Sequence, residues 1–244
     1  IDNKIISTLK PIRNTDNNLL SSNVRLITYN LFNNLGSMMI EDYKKNLKKI
    51  DDDDKSQISK LGIRIGAKFF FIPNLMKKNA IELNAILWKV FNNDKLVGAF
   101  PLPKDGRVSF ISEIEMPKDY WFSIGYICIN KFAVRIDVFE RIFFLARQKI
   151  KLGPFLETSD MMNPAGCNSD QLQNILAFCG FDCIDLPNGK KLFHFNGRNK
   201  PSNNNNKNKK TIKLNTKNKK NKIINKKDEK KDPNSPFAVL EKLL

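Results

Sequence analysis

A block near the C-terminus sets the first limit on the fold. Residues 200–231 hold 13 Lys against one Asp and one Glu, a net +11 out of +17 for the whole chain, and much of the remainder is Asn. Such a segment has too little apolar surface to offset the entropy of ordering it, and its like charges repel one another. Any core must therefore come from the residues before Arg198, with 198–231 read as a disordered linker. Its natural partner is a polyanion, because each Lys that neutralises a phosphate releases a condensed counterion. Lys207, Lys209, Lys210, Lys213, Lys217, Lys219 and Lys220 are the candidate phosphate contacts. The chain has 34 Lys and 31 Asn in all. An AT-rich genome supplies both wherever structure sets no demand, so a neutral spacer is the alternative.

The body can bury a real core. Hydrophobic residues make up 41% of the chain and there are 18 Phe, enough for one large or two small domains. No apolar run is long enough to span a bilayer, so no membrane partner is expected. The chain opens on Ile and shows no charged-then-apolar leader, which reads as a piece of a longer polypeptide. Four Cys are too few for a disulfide framework at this length and fit a reducing, cytoplasmic setting.

The expected class is α+β, mainly helical. Residues 1–60 read as a helical segment. Ser21 or Ser22 caps a helix with Val24, Ile27, Leu31 and Leu35 on one stripe and Gly36 as its stop. Residues 41–50 and 51–61 read as two more helices, the second with Asp51, Asp52, Asp53 and Asp54 at its positive end. Residues 61–153 read as a mixed unit. A strand over 63–72 is broken by Pro73. A helix over 79–91 follows, with Ala80, Leu83, Leu87 and Val90 on one face and Ile86 beside them. Short strands are expected at 108–111, 126–129 and 132–136. A further helix has Asp137 and Glu140 at capping-box spacing, buries Phe139, Ile142, Phe143 and Ala146, and stops at Gly153.

Residues 154–197 read as a helix-turn-helix with a hairpin. A helical turn at 159–163 leads through Gly166 to a helix over 170–179, capped by Asn168 or Ser169 and ended by Gly180. Strands at 181–186 and 191–195 flank Pro187-Asn188-Gly189-Lys190, a hairpin signal. Helix, turn, helix, hairpin is the order of the second half of a winged helix. Gln171, Gln173 and Asn174 are the polar groups of its second helix that could reach phosphates or base edges. Residues 232–244 predict a short terminal helix with Ser235 as cap and Pro236 at its first position. Phe237, Leu240 and Leu244 then form a face for docking on the body or on a partner protein.

No phosphate-binding loop, H-E-x-x-H or G-x-S-x-G is present, so no catalytic, cofactor or metal residue is assigned. Cys167, Cys179, Cys183 and His194 could in number make a tetrahedral zinc site, but they lack the C-x2-C knuckle. Tyr120-Trp121-Phe122 could stack on bases, yet the absence of interleaved Arg and Lys points to a core or a seam. Glu113 and Glu115 lack the partner acid or base that catalysis needs.

The order of these segments resembles the C-terminal region of bacterial DExH-box helicases, the alphaproteobacterial relatives of the mitochondrial RNA-degradosome helicase. The likeness runs through residues 61–91 with the Leu87-Trp88 pair, Gly125, residues 133–142, and Gly153-Pro154-Phe155. It continues through Gly166-Cys167-Asn168-Ser169 and Cys179-Gly180-Phe181 to residues 232–243. Residues 1–60 match more loosely, through Leu9-Lys10-Pro11, Val24-Arg25 and Leu35-Gly36. The resemblance implies an accessory part of an ATP-driven superfamily 2 helicase whose two motor lobes lie upstream in the same polypeptide. ATP and Mg would belong to those lobes, and no cofactor to this region. RNA is the more expected nucleic acid, with DNA the other choice. A different class of function is a protein-interaction scaffold that docks a helicase to a nuclease.

Overall fold

The computed structural model describes residues 20–45, 49–92, 100–104, 106–187 and 189–195. The Lys/Asn linker, its seven candidate lysines and the terminal helix with Phe237, Leu240 and Leu244 lie outside the described residues. The chain is a mixed α/β protein with eight helices and three small antiparallel sheets among the described residues. The described residues all fall within one compact unit of the chain.

One topological pattern recurs three times within this unit. The first copy is α1 (Ser22–Asn33), β1 (Ser37–Met39), α2 (Ile40–Tyr43), α3 (Asp52–Lys60), β2 (Arg64–Ile65) and β3 (Phe69–Phe71). The second is α4 (Lys78–Phe91), β4 (Ser109–Ile111), α5 (Lys118–Ser123), β5 (Tyr126–Ile129) and β6 (Phe132–Arg135). The third is α6 (Ile136–Ile150), β7 (Phe155–Leu156), α7 (Ser159–Met162), α8 (Ser169–Phe178), β8 (Phe181–Asp185) and β9 (Lys191–Phe195). In each sheet the last strand lies between the other two: β1-β3-β2, β4-β6-β5 and β7-β9-β8. Helix, strand, two helices and a hairpin closing on that strand is winged-helix order, complete in the first and third copies. The second lacks the short middle helix.

Each copy has its own core, and strand alternation joins the three. Val24, Ile27, Leu31, Met38, Ile58 and Phe70 form the first. Ala85, Trp88, Tyr120, Trp121, Tyr126 and Ala133 form the second. The third gathers Phe139, Ile142, Leu172, Ile175 and Phe193, and it also takes in Phe69, Phe71, Ile127, Phe132 and Val134. Successive strand residues point to opposite faces. Phe70 therefore enters the first core while Phe69 and Phe71 meet the third. Ala133 enters the second while Phe132 and Val134 meet the third. Packing thus crosses both the 60/61 and the 153/154 divisions of the sequence pattern.

Side chains pin the copies together. Glu140 of α6 is buried, and its carboxylate accepts the backbone N–H groups of Ala67 (2.7 Å), Lys68 (2.7 Å) and Phe69 (2.8 Å) in the β2–β3 wing. Buried Asn84 donates to the carbonyls of Leu35 (3.1 Å) and Ser123 (2.9 Å). Ser109 Oγ donates to the Ala165 carbonyl.

Several expectations need correction. Residues 37–39 form a strand, and the helix after them ends at Tyr43. The apolar run 63–72 is a hairpin, β2 and β3 pairing antiparallel about Gly66. Helix α4 buries Ala80, Ile81, Asn84, Ala85 and Trp88, leaving Ile86, Leu87 and Val90 exposed. Helix α6 begins at Ile136 with Arg135 as its N-cap, and no side chain caps it. Asp137 instead pairs with Arg135 at 2.7 Å, and Glu140 reaches across to the wing.

Candidate nucleic-acid interface

In the third copy the helix that precedes the hairpin is α8, the third of its three helices. Asn168 caps α8: its side chain accepts from Gln171 N at 2.8 Å, and Gln171 Oε1 accepts from Asn168 N at 2.9 Å. This reciprocal box fixes where the helix starts. Leu172, Ile175 and Leu176 are buried against α6 and the sheet. The opposite edge carries Asp170, Gln171, Gln173 and Asn174. Lys191 on the wing strand β9 donates to Asp170 (2.7 Å) and to Gln173. Of the three expected contact residues, Gln171 is therefore engaged in capping, Gln173 is tied to the wing, and Asn174 is half-buried.

The first turn of α8 opens onto a cleft of about 510 Å³ between the third and second copies. Gly166 and Gln171 line one side, and Lys104, Arg107, Phe110, Ile111 and Phe132 line the other. Lys104 and Arg107 sit in the loop before β4, and both side chains are exposed. Two buried tyrosines anchor that loop. Tyr120 donates its hydroxyl to the Pro101 carbonyl and Tyr126 donates to the Arg107 carbonyl, each at 2.7 Å. Burial pushes the Tyr126 hydroxyl up to about 12 and that of Tyr120 still higher, so both stay protonated donors at ordinary pH. Neither Lys104 nor Arg107 was singled out in the sequence. The available signal was the basic pair K-x-x-R in a Pro- and Gly-containing loop, which only the fold brings to α8.

The other sequence candidates fall elsewhere. Tyr120 and Trp121 belong to the second core, and Phe122 meets Phe69 edge-on at 5.4 Å. Glu113 is paired with Lys131 at 3.0 Å on the surface. Cys183 is paired with Phe193 and His194 with Asp182 in neighbouring register positions, so the thiol and the imidazole leave opposite faces of the sheet. Burial raises the thiols of Cys179 to about 12 and of Cys167 to about 11, keeping them protonated. Among the described residues, no group of three or more His, Cys, Asp and Glu side chains could hold a metal ion.

No protein-family model matches the chain, and neither do any curated proteins or solved structures. Among the described residues, no helix is long and apolar enough to cross a membrane.

Proposed function

We propose that this chain is an accessory, nucleic-acid-contacting region of an ATP-dependent superfamily 2 helicase, acting on RNA in a reducing, cytoplasmic setting. Its motor lobes, with ATP and Mg, would lie upstream in the same polypeptide. The observation that carries the reading is the meeting of the α8 first turn with Lys104 and Arg107 across an open cleft, in a unit of winged-helix order. A helix edge beside two exposed cations is an arrangement that positions phosphates. The Lys-rich block at 200–231 adds a second, sequence-independent source of affinity, and Lys207, Lys209, Lys210, Lys213, Lys217, Lys219 and Lys220 are its contacts. The helicase parentage rests on the likeness of residues 61–91, 133–142 and 232–243 to that family.

The test is a salt titration of binding to single-stranded RNA, made on the full chain and on one lacking residues 200–231. Affinity of the full chain should fall steeply with salt, and the deletion should flatten the slope by about 0.7 for each phosphate that the block neutralises. A full chain that ignores oligonucleotides at low salt defeats the reading.

One observation favours docking to a protein, such as a nuclease, as a role for the first copy. Its α3, equivalent to α8, opens with exposed Asp51, Asp52 and Asp53. Three carboxylates there repel phosphate, so this helix end suits a protein partner. Capture of a purified nuclease that weakens when the three are changed to Asn would support that role.

A further inference from the structure

The wing of the first copy and the long helix of the third enclose another open cleft, of about 470 Å³. Arg64 and Ile65 line it from β2, and Arg141, Phe144 and Arg147 line it from α6. The chain uses Lys over Arg by 34 to 8, so three arginines around one cleft are not what its composition would place there by default. Arg141, Phe144 and Arg147 follow one another at three-residue steps and form one stripe of the helix. The two carboxylates in the cleft are already engaged. Glu140 accepts three backbone N–H groups, and Asp137 binds Arg135 through both oxygens. Among the described residues, no carboxylate forms an ion pair with Arg64, Arg141 or Arg147.

The cleft also exposes apolar surface where water is a poor neighbour. Phe144 is 58% exposed and Ile65 is 41% exposed. A guanidinium binds phosphate in a fork and stacks on flat faces, which the ammonium of Lys does not do. A ring standing between guanidinium groups matches the alternating demands of an unpaired strand, with charge along the backbone and a flat apolar face on each base. A base inside a duplex has no free face to offer it.

We propose that this cleft binds single-stranded nucleic acid, with Arg64, Arg141 and Arg147 on phosphates and Phe144 stacked on a base. The proposal rests on the nucleic-acid reading above, and it gives the folded body a site separate from both the Lys block and the α8 edge.

The experiment measures anisotropy of a labelled single-stranded oligonucleotide of about twelve nucleotides bound to the full chain, over a salt series. Changing Arg64→Gln, Arg141→Gln and Arg147→Gln together should flatten the slope of log Kd against log salt by about 2. Phe144→Ala should weaken binding about tenfold and leave the slope unchanged. Should the triple variant lose its native circular dichroism, Arg64→Gln and Arg141→Gln are read singly, each expected to change the slope by about 0.7. Binding by the unaltered chain together with unchanged affinity and slope in these variants overturns the cleft and leaves the wider reading standing. Failure of the unaltered chain to bind overturns both. Competition by polyglutamate as effective as by oligonucleotide, with Phe144→Ala silent, assigns the cleft to an acidic protein segment and also overturns it.

Discussion

Glu140 shows how far a single side chain can depart from what its local spacing suggests. It stands three residues after Asp137, the separation of a capping box, yet its partners are some seventy positions away in the first wing. Local spacing could not reveal this, because the three acceptor bonds exist only once the wing is folded against α6. The carboxylate replaces the water that those amides would lose on burial, and such charge-assisted bonds are among the stronger ones. Gly66 completes the arrangement, since a Cβ there would stand 2.3 Å from the Glu140 carboxyl carbon. Glu140→Gln should cost about 2–3 kcal/mol in urea unfolding, because the amide is a weaker acceptor and turns a donor toward donors. Gly66→Ala should cost a similar amount by displacing the same carboxylate. The double variant should cost clearly less than the sum, because both changes remove one set of bonds. Strict additivity would show that the two residues act separately.

At the level of elements, the local rules that were legible are those that need no distant partner. The Ser21 cap with Val24, Ile27 and Leu31 behind it, the Asn168 box and the β8–β9 hairpin can all be read from neighbours in sequence. Helix α4 carries two overlapping apolar stripes, so periodicity alone does not say which of them is buried. Trp88 selects the buried one by packing edge-on to Tyr120 at 5.2 Å, a contact that sequence periodicity does not contain. The Asp cluster at α3 was legible as dipole compensation, but Asp54 does more. It accepts from Asn23 Nδ2 at 2.8 Å and from the Ser21 hydroxyl, locking the start of α1 onto α3. Those two bonds, Asn23 first, hold its carboxyl below the usual carboxylate range. A depressed folded-state value means that the stabilisation is fully present above pH about 4 and fades as pH falls through the lowered value. Asp54→Ala should cost roughly 1.5–3 kcal/mol at pH 7. The gap to the unaltered protein should narrow as unfolding is measured at pH 3 and below. A pH-independent gap would mean that the carboxylate charge is not what joins the helices.

For the molecule as a whole, the third copy was readable in its order, whereas the threefold recurrence was not. The copies share strand order without sharing residues: one closes its core with Met38 and Phe70, another with Trp88 and Tyr120, the third with Phe139 and Phe193. The candidate site was half legible, since α8 is marked by its cap while Lys104, Arg107 and the three cleft arginines are gathered only by folding. The sheets of the first two copies both rest on the third, so unfolding should be cooperative. Trp88 and Trp121 are the chain's two tryptophans and both lie in the second core. Thermal transitions followed by tryptophan fluorescence and by far-UV circular dichroism should therefore coincide. A fluorescence transition several degrees apart would show that the copies unfold independently. The wing that Glu140 holds has a practical consequence for spectroscopy. The amide protons of Ala67, Lys68 and Phe69 all point at one negative charge, so they should resonate downfield and exchange slowly with solvent. They amount to a cluster of native sensors, and a ligand settling against Arg64 would shift all three peaks together without any label being attached.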